Sequence, residues 1–170
     1  MMVAGLLYQG LLYRALNPVF AREPLSGHGA ALYGGRFNPK GVPALYCALS
    51  PTTALREANQ VGMLQPTTLV AYRADIADVL DGQDVEALAR FDMDPAALVA
   101  STWRDEMKSA GIARSQRFAQ AAIEAGYSGL MVRSFAPGLG DDDLNLVLWR
   151  WGNAPATQVV VIDDENRLSR

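Results

Sequence analysis

The chain has 170 residues, half of them hydrophobic and 19% charged, which is typical of one folded domain and not of a disordered segment. Its net charge of −3 disfavours nucleic acid as a direct partner, because phosphate neutralisation requires clustered Lys and Arg. The single cysteine, Cys47, and the single histidine, His28, exclude an internal disulfide, Cys-rich or His-based metal sites and most Ser-His triads.

The first third of the chain predicts strands around one well-marked helix. Strands are predicted at Leu11–Leu16, at Pro43–Leu49 and, as a short strand or turn, at Tyr33–Asn38. Residues 22–30 contain glycine without clear periodicity and predict a loop. Ser50 and Pro51 start a helix that runs to about Gly62, because serine is a favoured N-cap and proline costs little in the first turn.

The rest of the chain places helices in the middle and strands at both sides of them. Helices are predicted at Asp84–Arg90, from Asp94-Pro95 to about Ser109, and at Ser115–Ala125; strands are predicted at Thr67–Ile76, Leu130–Phe135, Asn145–Trp151 and Gln158–Ile162. Residues 136–143 are predicted to form a loop with an acidic tip. This distribution predicts a single α+β domain over residues 1–170, with short mixed or antiparallel sheets flanked by helices.

Several other classes of protein lack their signatures in this chain. No Gly-x-Gly-x-x-Gly follows a strand and no Gly-Lys-Ser/Thr loop is present, which disfavours Rossmann and P-loop folds. No apolar run approaches the roughly 20 residues of a membrane helix, and the N-terminus lacks a basic lead-in. We therefore expect a soluble cytoplasmic protein that uses neither a metal nor a membrane.

Glu57 is the most informative single position. On the predicted helix, Ala54, Ala58 and Val61 lie three or four residues from it and share its face. A carboxylate on the core-facing edge of a helix costs free energy unless it has a partner or faces a cleft. Both a buried Glu–Arg pair and a carboxylate at a pocket wall fit this pattern.

Three other residues provide cations and an aromatic surface. Strand alternation places Arg14 on the opposite face from Tyr13, where it points either to solvent or to a ligand. Arg36 follows Gly34-Gly35, so its guanidinium could fork towards phosphate oxygens or simply follow an ordinary turn. Tyr46 lies in the middle of an aliphatic strand and, by itself, fits the core as well as a stacking role.

Polar residues near two later strands complete the candidate set. Ser134 ends one predicted strand and Asn145 opens the next; each could bond a ribose or an amide, and each could equally cap a turn. Cys47 is interpreted as buried packing, since no local basic group suggests an activated thiolate. The middle of the chain lacks a chemical motif, and Trp103 and Met107 are interpreted as core.

Taken in order, these segments resemble the RES domain, the toxin of a bacterial toxin–antitoxin family named for its Arg, Glu and Ser. The matching segments are YRA at 13–15, PLSGHGA at 24–30, GGRFN at 34–38, ALYCALSPTTALRE at 44–57, VRSFA at 132–136 and NLVLW at 145–149. Each segment is weak alone, but the series spans most of the chain in the order of the family.

The resemblance implies a fold similar to ADP-ribosyltransferase toxins, with NAD as a substrate in a central cleft. It implies that the nicotinamide–ribose bond is cleaved and that ADP-ribose passes to water, to phosphate or to a host protein. By position in the motifs, Arg14 and Arg36 would hold the pyrophosphate or ribose, Tyr46 would stack on nicotinamide, and Glu57 would face the nicotinamide ribose. Ser134 matches the serine of the family, and Asn145 matches a frequent asparagine.

The resemblance thus assigns Glu57, Arg36 and Ser134 to catalysis and adds Arg14, Tyr46 and Asn145 as NAD-binding residues. It also predicts a helix-turn-helix-type antitoxin that blocks the cleft. One alternative stays open: a catalytically inactive domain that binds a nucleotide as a sensor.

Overall fold

The computed structural model describes residues 4–59, 63–136 and 138–169. Within these described residues, six strands and six α-helices form a mixed α+β domain, as predicted. The strands are β1 Leu6–Leu16, β2 Leu45–Ala48, β3 Thr68–Asp81, β4 Gly129–Arg133, β5 Leu144–Leu148 and β6 Thr157–Val161. The helices are α1 His28–Tyr33, α2 Pro51–Ala58, α3 Val85–Ala89, α4 Pro95–Leu98, α5 Trp103–Ala110 and α6 Arg114–Glu124. Short 3-10 helices occur at Pro18–Phe20 and Arg167–Ser169.

The strands form one hydrogen-bonded set in the order β1-β2-β5-β4-β3-β6, and β1 also pairs with β3. The first five strands therefore close on themselves, with β6 attached outside to β3. Most neighbours are antiparallel, but β3 and β4 run parallel through Val79–Asp81 and Gly129–Met131. This late parallel pairing explains why β3 continues five residues beyond the predicted end at Ile76.

The buried residues form two clusters on either side of this strand set. One cluster packs helices α3, α4 and α6 against β4 and β5, with Leu88, Leu98, Phe118 and Leu130 among its members. The other lies between the closing strands and includes Leu12, Leu45, Tyr72 and Leu148. Helices α3, α4 and α6 thus cover one side of the strand set, and the closed side retains its own core.

Helix α2 begins as its sequence predicts. The Ser50 side chain accepts a hydrogen bond from the Thr53 backbone N–H (3.1 Å), and Pro51 occupies the first turn. The described part of the helix ends at Ala58. The predicted extension to Gly62, including Val61, lies outside the described residues.

Two predictions about helices are wrong. Residues 22–30 were predicted as a loop, but α1 begins at His28 and continues to Tyr33. A single helix is predicted from Asp94 to Ser109, but the structure has two, α4 and α5, because the helix is interrupted between Leu98 and Trp103. At this break the carbonyls of Leu98 and Ala100 accept hydrogen bonds from Arg36 and are not used by a continuous helix.

The segment predicted as a short strand or turn at Tyr33–Asn38 is a tight turn. Gly35 and Asn38 exchange backbone hydrogen bonds of 2.9 and 3.3 Å. We call residues 34–38 the glycine–arginine turn below. It leads from α1 towards β2 and carries Arg36 to the connection between α4 and α5.

Candidate functional site

A cleft of about 330 Å³ opens between β1, β2, α2 and β5. Four of the six predicted site residues line it: Arg14, Tyr46, Glu57 and Asn145. The remaining lining residues are Tyr13, Ala15, Leu16, Cys47, Ala48, Ala54 and Ala58. The cleft has the size of a small-molecule site and combines apolar walls with few polar groups, as ligand pockets usually do.

Glu57 is the centre of the polar groups in this cleft. Its Oε1 accepts hydrogen bonds from the Ser134 hydroxyl and from Asn145 Nδ2, the latter at 2.7 Å. The carboxylate is half-buried, and Ser134 is only 4% exposed. Two donors from different strand ends therefore fix the orientation of this charge. Glu57 also lines the cleft, which is the position that the pocket-wall interpretation expects.

Asn145 has one polar atom directed towards Glu57 and one without a protein partner. Its Nδ2 donates to the carboxylate, which fixes the orientation of the amide because the reverse would oppose two oxygens. Its Oδ1 is buried and has no hydrogen-bond partner among the described residues. Since buried polar atoms are usually paired, this oxygen is available to accept a hydrogen bond from a group that enters the cleft.

Arg14 points into the domain and not to solvent. It shares the inward side of β1 with the fully buried Leu12, opposite Tyr13. Its Nη1 donates to the Pro24 carbonyl at 2.8 Å, and the Tyr72 hydroxyl donates to the same oxygen at 2.7 Å. Burial raises the pKa of the Tyr72 phenol to about 12, so this donor stays protonated. The loop at Pro24 thereby holds the arginine beside the cleft.

Tyr46 has a buried hydroxyl and a ring that is open to the cleft. Its hydroxyl donates to Asn38 Oδ1 at 2.5 Å and accepts from the Phe37 backbone N–H at 3.1 Å. The residue is 37% exposed, so one surface of the ring is available to a ligand. Burial of the hydroxyl raises the pKa of Tyr46 well above its ordinary value. The ring is therefore fixed at one end and neutral.

The glycine–arginine turn is held by residues that the sequence analysis did not identify. Asn38 is fully buried and donates to the carbonyls of Ala30 and Val42, each at 2.8 Å. Gln116 Nε2 donates to Gly35 O at 3.0 Å and Asn38 O at 3.2 Å. Trp149 Nε1 donates to Phe37 O at 2.9 Å. One signal in the sequence was available: Gln116 lies three residues before Ala119 on α6, so a polar side chain shares the buried face of this helix.

Arg36 does not line the cleft in this structure. Its Nη1 donates to Ala100 O at 2.7 Å and Leu98 O at 3.4 Å, and its guanidinium carbon lies 4.5 Å from the ring centroid of Phe135. Burial and the charge of Arg104 lower the pKa of Arg36, and the charge of Glu57 opposes this effect. Arg36 is therefore close enough to Glu57 to feel its field while it is bonded to the α4–α5 connection.

Cys47 is buried, as the sequence indicated. Cys47 is 3% exposed, and burial raises the pKa of its thiol to about 12, which leaves it protonated and unreactive at neutral pH. His28 is exposed at the start of α1. Among the described residues, no group of three His, Cys, Asp or Glu side chains could bind a metal ion. None of the helices described is both long and apolar enough to span a bilayer.

Comparison with known proteins agrees with this architecture. A structural match to the M. tuberculosis MbcT–MbcA toxin–antitoxin complex has a TM-score of 0.67 at 22% identity, covering 94% of this chain and 85% of that chain. At this identity the likeness concerns the fold, and it confirms the predicted fold class. A relative named Toxin Res, from Yersinia enterocolitica, is 31% identical over 111 residues, which are 60% of this chain and 72% of the relative. The model of the RES domain matches residues 11–170, and the chain therefore belongs to the RES domain family.

Proposed function

We propose that this chain is the toxin of a toxin–antitoxin pair and that it cleaves the nicotinamide–ribose bond of NAD. The observation that carries the proposal is the Glu57 carboxylate, fixed by Ser134 and Asn145 in a cleft shared with Arg14 and Tyr46. The family match and the toxins among its relatives support the same assignment.

The chemistry follows from the charge that develops when an N-glycosidic bond breaks. The ribose becomes cationic, and a fixed carboxylate at Glu57 stabilises that state without reorganisation. A preorganised charge of this kind commonly lowers a barrier by roughly 3–4 kcal/mol. Ser134 and Asn145 act by orienting the carboxylate, since both donate to the same oxygen. Asn145 Oδ1, which lacks a protein partner among the described residues, would accept a hydrogen bond from the substrate.

Tyr46 and Arg14, which also line the cleft, suit the groups attached on either side of the nicotinamide ribose. The exposed ring surface of Tyr46 provides a stacking platform for nicotinamide. Arg14, on the neighbouring strand β1, provides a cation for the ribose or the diphosphate. Arg36 would join them from the glycine–arginine turn by exchanging the carbonyls of Leu98 and Ala100 for substrate oxygens.

The acceptor of ADP-ribose is a host protein, water or phosphate, and the partner that controls the cleft is an antitoxin of the helix-turn-helix type. The antitoxin proposal rests on the toxin–antitoxin complex whose toxin has this fold. An antitoxin segment that fills the cleft would cover Glu57 and prevent NAD from entering.

Release of nicotinamide from NAD by the purified chain tests the proposal. Glu57→Gln retains the size of the side chain and its acceptor oxygen, so it removes the charge with little change in packing. We expect it to lower turnover by at least about 100-fold, in line with loss of one preorganised charge. Glu124→Gln, at an exposed position near the end of α6, is the matched control and should retain full activity.

Equal activity of the wild type and Glu57→Gln would refute the role of Glu57. Binding of NAD by the wild type without any nicotinamide release would instead support the sensor domain. The acceptor is identified by mass spectrometry of the NAD-derived products, with and without phosphate and lysate protein. A labelled protein indicates transfer to a target, whereas free ADP-ribose or its phosphate indicates a small acceptor.

A further inference from the structure

A second cavity lies at the end of β4. Its volume is about 460 Å³, and it is bounded by the residues that follow β3, by helix α4 and by the last residues of β4. Most of its wall is apolar and is formed by Pro95, Leu98, Val99, Val132 and Phe135. No described residue lines both this cavity and the candidate cleft. The size and the apolar wall are those of a small-molecule site.

The cavity lies where β4 loses its neighbour β3. On that edge of β4, Gly82 N–H donates to Met131 O at 2.8 Å. On the other edge, Ser134 N–H donates to Asp143 O at 2.7 Å, in the direction of β5. Because successive N–H groups of a strand point to opposite edges, Arg133 N–H points to the edge next to Gly82. In the described part of the chain it makes no bond to Gly82 O, the next acceptor of a parallel pair.

The charged residues that line the cavity are paired with each other. Arg133 Nη1 lies 2.7 Å from Asp141 Oδ1, and the two side chains are 49% and 83% exposed. Arg133 belongs to β4, whereas Asp141 lies in the connection between β4 and β5. An ion pair that is this exposed contributes little to stability. Another carboxylate can therefore replace Asp141 on Arg133 at a small cost in free energy.

We infer that this cavity binds a small amphipathic carboxylate, with its apolar chain between α4 and Phe135 and its carboxylate on Arg133. A guanidinium binds a carboxylate by paired N–H bonds, and Asp141 shows that a carboxylate fits at this arginine. The backbone N–H of Arg133 provides a further donor at the same edge. The apolar wall removes the chain of the ligand from water, which favours binding.

The opposite ligand, an amphipathic cation bound to Asp141, fits the cavity less well. Arg133 is fixed on the strand beside Val132 and Phe135, so a cation among these apolar residues would lie next to a like charge. The inference concerns a cavity that shares no lining residue with the cleft, and it does not depend on the proposed function.

Calorimetric titration of the full chain with octanoate tests the site. Octanamide is the matched neutral probe, since it has the same apolar chain and no charge. We expect octanamide to bind about tenfold more weakly than octanoate, the effect of losing a charge-assisted interaction. Val99→Glu places a negative charge in the apolar wall, at a position that is 49% exposed, and should abolish binding of octanoate.

Substitutions in the ion pair should change the affinity in opposite directions. Arg133→Gln should weaken octanoate binding about tenfold or more. Asp141→Asn removes the competing carboxylate and should tighten binding about two- to fivefold, the small effect of an exposed ion pair. Arg73→Gln and Asp164→Asn are the matched controls at exposed positions and should bind octanoate like the wild type.

The absence of measurable octanoate binding to the wild type would overturn the inference, as would equal affinities of the wild type and Arg133→Gln. Binding that changes in Glu57→Gln but not in Arg133→Gln would place the probe in the candidate cleft and overturn it as well. Equal melting temperatures of the variants would show that a loss of binding is not a loss of folding. None of these measurements involves NAD, so their outcome is separate from that of the proposed function.

Discussion

Replacing Gln116 by leucine should remove hydrogen bonds that anchor the glycine–arginine turn and should lower the stability of the protein. Gln116 is fully buried, and its side chain bonds three backbone groups: the N–H of Ala113 at 2.8 Å and the carbonyls of Gly35 and Asn38 at 3.0 and 3.2 Å. Leucine has a similar volume but pairs with none of them. The substitution therefore leaves two buried carbonyls and one N–H without these partners.

The magnitude follows from the cost of unpaired groups. The unpaired Ala113 N–H costs about 1–3 kcal/mol, and each carbonyl, which keeps its backbone hydrogen bond across the turn, loses a second bond worth about 0.5–1.5 kcal/mol. The more apolar side chain returns about 1–3 kcal/mol, so we expect a net loss of about 2 kcal/mol. A domain of this size is commonly stable by only about 5–15 kcal/mol, so the effect is large. Urea unfolding followed by circular dichroism measures it as a shift in midpoint at constant slope.

Gln120→Leu is the matched control, since Gln120 is exposed on the same helix and should change stability by less than about 0.5 kcal/mol. Gln116→Glu retains the acceptor for Ala113 but loses both donors, and it should also destabilise the protein at neutral pH. If Gln116→Leu stays within about 1 kcal/mol of the wild type, the three hydrogen bonds do not hold the turn and our reasoning about its anchoring is wrong.

Three further predictions concern the same region and its core. Gly35→Ala places a methyl group against the Tyr46 hydroxyl and should destabilise the protein by about 1–3 kcal/mol in thermal unfolding, whereas Gly29→Ala, with no atom within 4 Å of the added carbon, should not; equal melting temperatures would contradict this. Cys47, with a thiol pKa of about 12, should resist a thiol reagent at pH 8 until the chain is denatured, and rapid labelling of the native protein would show that the thiol is accessible. Burial raises the pKa of Tyr72 to about 12, so the folded state favours the neutral phenol. The stability that Tyr72 contributes is complete below pH 10, and the free energy of unfolding should fall as the pH rises from 10 towards 12. The fall should be less steep in Tyr72→Phe.

Local sequence signals predicted the elements that carry most of the site. Ser50-Pro51 marked the start of α2, and strand alternation placed Arg14 on the opposite face from Tyr13. The position of Glu57 beside small apolar residues is compatible with a buried Glu–Arg pair and with a cleft wall, and in the structure Glu57 lines the cleft. These predictions succeeded because they depend on residues within one or two turns, or on the two-residue period of a strand.

Other features could not be predicted, since they depend on partners far along the chain. Arg36 bonds carbonyls more than sixty residues away, and these bonds accompany the break between α4 and α5 that the periodicity did not indicate. Gln116 supports a turn 81 residues before it in the sequence. The middle of the chain had no chemical motif, yet Trp103 and the α4–α5 connection position Arg36.

The sequence by itself determined which chemical groups are candidates for the site: a carboxylate, two arginines, a tyrosine, a serine and an asparagine, all in segments that resemble the RES domain. The tertiary structure decided how they are arranged. Ser134 and Asn145 lie 77 and 88 residues beyond Glu57, and only the antiparallel pairing of β4 with β5, and of β5 with β2, brings both donors to the carboxylate on α2. Residue types and local periods are properties of the chain, whereas convergence on one oxygen atom requires strand register, which is fixed by long-range packing.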